Sequence, residues 1–116
     1  MKDEIFNKIK KLIENKKINE AQLELSKLGQ QYNQDSQYLY LRAEVFYINK
    51  LYYIAIDTLL IALEFKESEE IYKLLGKIYQ ILGNSDLSEK ILNINLRVEA
   101  IKSIKDELTG VYRKEK

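Results

Sequence analysis

Three small residues recur in this sequence at nearly constant spacing: Ala21, Ala55 and Ser88 lie 34 and then 33 residues apart. Each follows a large apolar residue by nine positions (Leu12, Phe46, Tyr79) and precedes a leucine by four (Leu25, Leu59, Leu92). A period of this length marks a supersecondary unit that cannot bury its apolar face alone and must stack on its neighbours. The residues between the landmarks decide for helix. There is no proline, and four glycines are too few turn formers for an all-β chain of 116 residues. An apolar fraction of 46% beside a charged fraction of 32% suits amphipathic helices with solvated outer faces. The expected fold class is all-α, and the length suits one domain over residues 1–116.

The apolar spacing places the helices. Ile5, Ile9, Leu12 and Ile13 form one stripe, Asn15, Lys16 and Lys17 connect, and Ile18, Ala21, Leu25 and Leu28 form a partner helix that Gly29 weakens or ends. Asp35 or Ser36 offers an N-cap oxygen to a third helix over 36–49, and Asn49 and Lys50 turn the chain. Residues 52–65 are apolar all round, which predicts a middle helix covered on both sides. Ser68 caps a fifth helix whose Glu69 and Glu70 suit its positive end, and Gly83 closes it. Asn84 or Ser85 starts the last helix.

The stretch Tyr72-Lys73-Leu74-Leu75-Gly76-Lys77-Ile78-Tyr79 carries the most specific signal. Glycine costs a helix interior roughly 1 kcal/mol relative to alanine, so Gly76 implies a second helix crossing too closely for a side chain. Together with the period, this pattern resembles the tetratricopeptide repeat, a family of stacked helix-turn-helix units. The resemblance covers residues 2 to about 101 in units of about 2–35, 36–68 and 69–101, and implies a right-handed superhelical stack with a capping or extended helix over 102–116. The third unit matches best. In the second, Ala43 takes the glycine's place, and Arg42 stands where the family has leucine. In the first, Ile9 replaces the small residue and Lys8 the leucine, and the proline that often closes a unit is missing from all three.

From Asp86 to Leu108 there is neither glycine nor proline, more helix than a repeat needs. Leu87, Ile91, Ile94, Val98, Ile101 and Leu108 keep a spacing of three and four, with Lys105 filling the gap. Either the helix overruns, or it breaks near residues 93–95 into a cap over the last apolar face. An overrun would leave a stripe over residues 91–108 able to pair with a second copy. Thr109 and Gly110 are expected to end it, with residues 113–116 a frayed tail.

No catalytic constellation stands out, and the chain is expected not to be an enzyme. There is neither cysteine nor histidine, which removes thiolate chemistry and the commonest general base and metal ligand. The paired carboxylates Glu69-Glu70 and Asp106-Glu107 are sequence neighbours, so they point about 100° apart around a helix and cannot flank one bond. Gly76 and Gly83 form no phosphate loop, and no acidic cluster has calcium-loop spacing. No catalytic residue, cofactor or metal is expected. Lysines and Glu14 interrupt the first twenty residues, so no signal-peptide core appears, and no apolar run reaches a membrane span; a cytoplasmic location is expected. The array could also belong to a longer one.

The resemblance implies a non-catalytic adaptor or scaffold that binds a peptide or helix of another protein in a concave groove lined by the first helix of each unit. The matching positions are Phe6, Lys10 and Ile13; Gln37, Tyr40, Glu44 and Tyr47; and Lys73, Lys77 and Gln80. Tyrosine suits such a face because it buries a rigid ring and keeps a polar tip, whereas Tyr38, Tyr72 and Tyr79 fall at packing positions. Members that clamp chaperone carboxylate tails use donors at positions held here by Phe6, Lys10, Leu41, Glu70 and Leu74, so that clamp is absent. Nucleic acid is not expected, because Glu44 and Glu70 share the groove with Lys10, Lys73 and Lys77 and the net charge is only +1. The alternatives are a self-associating subunit using the last helix, and a small chaperone for a secreted protein, which the three-unit count also resembles.

Overall fold

The computed structural model describes residues 2–114, with side chains described as far as Leu108. Among these residues the chain is all helix, without a strand: α1 Lys2–Glu14, α2 Ile18–Lys27, α3 Ser36–Ile48, α4 Tyr52–Phe65, α5 Glu69–Ile81, α6 Ser85–Leu92 and α7 Arg97–Lys114. The backbone groups into two compact units, Met1–Ile71 and Tyr72–Lys116, divided within the first turn of α5.

Three turns, α1–α2, α3–α4 and α5–α6, share one construction. Each has a residue with positive φ, Lys16 at 65°, Lys50 at 63° and Gly83 at 85°. Around each, two hydrogen bonds close the preceding helix. The N–H groups of Lys17, Leu51 and Asn84 donate to the carbonyls of Leu12, Phe46 and Tyr79 at 2.8, 2.9 and 2.9 Å. Those of Lys16, Lys50 and Gly83 donate to Ile13, Tyr47 and Gln80 at 3.0, 2.9 and 3.1 Å. This is the Schellman arrangement, in which a left-handed residue satisfies the orphan carbonyls of a helix end. It accounts for the sequence period physically. The large residue nine positions before each small one supplies the carbonyl that accepts the turn bond of wider sequence span, from the N–H five residues on. The small residue then lies in the first turn and a half of the next helix, where Ala21, Ala55 and Ser88 are all buried.

In the first unit α1 packs on α2 and α3, α2 on α3, and α3 most extensively on α4. Its core holds Phe6, Ile9, Ile13, Ala21 and Leu25, then Tyr38, Leu39, Leu41, Ala43 and Val45, then Ala55, Ile56, Leu59, Leu60 and Ala62. Gly29, at φ 56°, ends α2 and passes the chain into a connector, and the Tyr38 hydroxyl donates to its carbonyl at 3.3 Å. Asp35 caps α3, accepting from the N–H groups of Gln37 at 2.9 Å and Tyr38 at 3.1 Å. α4 departs from expectation. Ile54, Ile61 and Phe65 remain 49, 39 and 45% exposed, because α4 buries the face that carries Ala55, Leu59 and Ala62 and, among the described residues, the side that carries these three stays open.

In the second unit Gly76 meets α6 closely. A Cβ built there would lie 3.0 Å from Leu92 Cγ, and the Ser88 hydroxyl donates to the Gly76 carbonyl at 2.7 Å. Asn84 caps α6, accepting from Leu87 N–H at 3.1 Å. The expected long last helix is broken, as one of the two sequence readings has it. The Asn93 side chain accepts from Asn95 N–H at 2.9 Å, and the Asn93 carbonyl accepts from Leu96 and Arg97 N–H at 3.0 Å each. These local bonds compete with continued helix. The break resets the phase of the stripe. α7 packs on α6 and buries Arg97, Ala100, Ile104 and Leu108, whereas Ile94 and Val98 are 73 and 78% exposed. α7 also runs past Thr109 and Gly110 to Lys114, since one glycine costs a helix only about 1 kcal/mol. Of the expected frayed tail, residues 113 and 114 are helical and 115–116 lie outside the described residues.

Candidate functional site

The outward side of α3 begins at its cap. Position 35 must be a non-helical acceptor, position 36 then starts the helix, and Gln37, Tyr40, Glu44 and Tyr47 follow at spacings of three and four on one face. Gln37 is exposed and the other three are half-buried. Gln37 and Tyr40 line a cavity of about 190 Å³ completed by Ser36, Lys66, Ser68 and Glu70. A second cavity, of about 270 Å³, lies alongside and shares Ser36, Gln37 and Lys66 with the first; Lys2, Gln34, Asp35 and Phe65 complete it. The two form one furrow. The Ser36 hydroxyl donates to the Lys66 carbonyl at 2.7 Å and ties the start of α3 to the chain leaving α4.

The electrostatics of the furrow are mixed. Burial pushes the Tyr40 phenol well above its ordinary value of 10.0, and the Glu44 and Glu70 carboxylates push it further in the same direction. Tyr40 is therefore a neutral hydroxyl at physiological pH, able to donate as well as accept. Tyr47 is also raised, first by burial and then by Tyr52, whose ring centroid lies 6.1 Å from its own. At the other end, the Lys2 ammonium pairs with Asp35 at 2.9 Å. Burial pushes Asp35 upward, but the hydrogen bonds from Lys2 and from the Tyr38 and Gln37 N–H groups outweigh it and hold the carboxyl below its ordinary 3.8. Lys66 and Glu70 make no ion pair among the described residues.

The structure thus brings Gln37 and Tyr40 into one cavity and sets Glu44 and Tyr47 along the same face. Phe6 and Ile13 are elsewhere. At 1 and 6% exposure they are core residues of the first unit and have no area to offer a ligand. The Phe6 ring packs edge-on against Tyr32, with centroids 5.4 Å apart, and Phe6 faces inward while Ile5 is exposed. Lys10 is exposed on α1. Lys73, Lys77 and Gln80 are exposed on α5 at a spacing of four and three, in the second compact unit.

Lys2, Phe65, Lys66 and Ser68 line the furrow and escape the sequence reading as site residues. Ser68 carries a signal, but for capping: its hydroxyl accepts from Ile71 N–H at 3.4 Å. Phe65 and Lys66 end a helix and begin a connector, where helical periodicity no longer says which way a side chain faces.

The furrow presents an amide, a phenol and side chains of both charges. Its cavities are smaller than the ~300–1,000 Å³ of ordinary small-molecule pockets, and suit side chains of an extended segment better than an enclosed metabolite. Among the described residues no group of three or more acidic side chains could hold a metal, and no helix is long and apolar enough to cross a membrane. Compared with protein-family models, curated proteins and solved structures, the chain matches none.

Proposed function

We propose that this chain is a non-catalytic adaptor of tetratricopeptide type, taking a peptide or helix of another protein across the outward face of α3. The observation that carries the reading is Tyr40. It is a half-buried, neutral phenol beside the Gln37 amide, in a furrow where Lys66 and Glu70 make no ion pair among the described residues. A rigid ring with a polar tip loses little entropy on binding, and an amide can pair with a peptide's backbone groups. The three repeated turns at the period of the family support the wider architecture. Lys10, Glu44, Tyr47, Lys73, Lys77 and Gln80 are the further partner-facing positions on this reading. Phe6 and Ile13 are not.

The test is a pull-down comparing the native chain with a Gln37→Ala, Tyr40→Ser variant of equal helicity. A protein held by the first and lost by the second is the expected result. Retention of the same proteins by both would contradict the assignment.

A second reading rests on the bend between α6 and α7, where Ile94 and Val98 are almost fully exposed. There the chain self-associates as a structural subunit. Light scattering separates the two readings: a dimer that an Ile94→Glu, Val98→Glu variant dissociates favours self-association, and a monomer favours the furrow.

A further inference from the structure

Arg42 stands where the repeat pattern has a leucine, and the structure gives the substitution a use. It lies one helical turn after Tyr38 and one before Phe46, on a different side of α3 from Tyr40. Its guanidinium is 5.9 Å from the Tyr38 ring centroid and 5.5 Å from that of Phe46, within range of cation–π attraction to both. Two aromatic neighbours restrain an arginine that is otherwise exposed. It has no carboxylate partner among the described residues: Glu24 pairs with Lys8 and Lys27, and Asp35 with Lys2.

The guanidinium borders a cavity of about 250 Å³ between α2 and α3. Leu25 and Val45, both buried, give it an apolar floor. Gln22 and Ser26 stand on the α2 side. The Ser26 hydroxyl already donates to the Leu23 carbonyl at 2.7 Å, so toward the cavity it offers lone pairs.

We propose that this cavity is a carboxylate-binding site, and that its ligand is an acylated amino acid, either an acidic side chain or a chain end within a partner polypeptide. The carboxylate takes the planar fork of Arg42, which matches its two oxygens. The Gln22 amide adds a donor, the neighbouring peptide N–H donates to Ser26, and the apolar part lies on Leu25 and Val45. The wall carries one cation and no second basic residue, which selects a monoanion over a phosphate dianion. The site lies apart from the furrow over Tyr40, and the proposal does not depend on that reading.

The experiment is an amide-resolved NMR titration of the whole chain with N-acetyl-leucine, which carries a chain-end carboxylate, with N-acetyl-glutamate α-amide, which carries a side-chain one, and with N-acetyl-leucinamide as the neutral control. Saturable shifts at Gln22, Leu25, Ser26 and the Arg42 side chain are expected with at least one acid, and none with the control. The stronger acid identifies the source. An Arg42→Gln variant of unchanged helicity should bind at least about tenfold more weakly, the worth of a charge-assisted pair. Equal responses to acid and control, no response to either acid, an unaffected variant, or tighter binding of inorganic phosphate than of the acids would each overturn the proposal. The signals of Gln37 and Tyr40 report the furrow separately, so failure here and failure there are told apart.

Discussion

Lys16 and Lys50 hold the left-handed conformation that a glycine holds at the third turn. A side chain there clashes with its own backbone at a cost of roughly 1–2 kcal/mol, against which glycine's extra freedom in the unfolded chain counts for less. Lys50→Gly should therefore raise stability by about 1 kcal/mol, read as a higher urea midpoint at unchanged slope. Gly76 answers the opposite way. The Leu92 side chain that a Cβ would meet is half exposed and can turn aside for a methyl, but not for an isobutyl group. Gly76→Leu should cost about 1–3 kcal/mol, and melting unchanged within error would remove the close-packing account. Asp35→Ala should cost about 1 kcal/mol through loss of the α3 cap. Because the Asp35 pKa is depressed on folding, its contribution is complete above the ordinary value of 3.8 and is lost as pH falls through the lower folded value. The acid limb of a pH–stability curve should flatten in that variant.

At the scale of elements, much was legible in the sequence, and for identifiable reasons. Asp35, Ser68, Asn84, Gly29 and Gly83 are local signals, each acting through one or two backbone groups of its own turn, so the sequence places helix ends well. What it could not place was phase. α1 buries Phe6 with Ile9 and Ile13 and leaves Ile5 exposed, and Phe6 meets the ring of Tyr32, twenty-six residues away, a contact no local pattern announces. The stripe from Leu87 to Leu108 reads as continuous until the Asn93 turn shifts it, leaving Ile94 and Val98 outside and Ala100 and Ile104 inside. Arg97 is the residue that this shift buries. Its Nε donates to the Ile91 carbonyl at 3.1 Å and its guanidinium lies 4.0 Å from the Tyr72 ring centroid. Nothing in the sequence separates it from a surface arginine. Arg97→Ala should destabilise the chain by roughly 2–4 kcal/mol in denaturant titration, from a charge-assisted bond and a desolvated cation–π contact.

For the molecule as a whole, the same distinction limits how far the site could be foreseen. Gln37 and Tyr40 enter the candidate site through the family resemblance, which matches them to the first helix of the second unit, and the structure sets both against one cavity. Lys2, Phe65 and Lys66 were not legible, because they reach the furrow through chain ends and connectors. Apolar surface is the remaining whole-molecule feature: Ile54 and Ile61 on α4, and Ile94 and Val98 at the α6–α7 bend, are exposed, do not line the furrow and compete with it as contact sites. Photo-crosslinking in the native cell decides among them. A benzoylphenylalanine placed at position 37, 61 or 98 in turn should give an adduct to another protein from position 37 alone. Adducts from 61 or 98 with none from 37, or a crosslinked dimer of the chain itself, would contradict the assignment of partner binding to the outward face of α3.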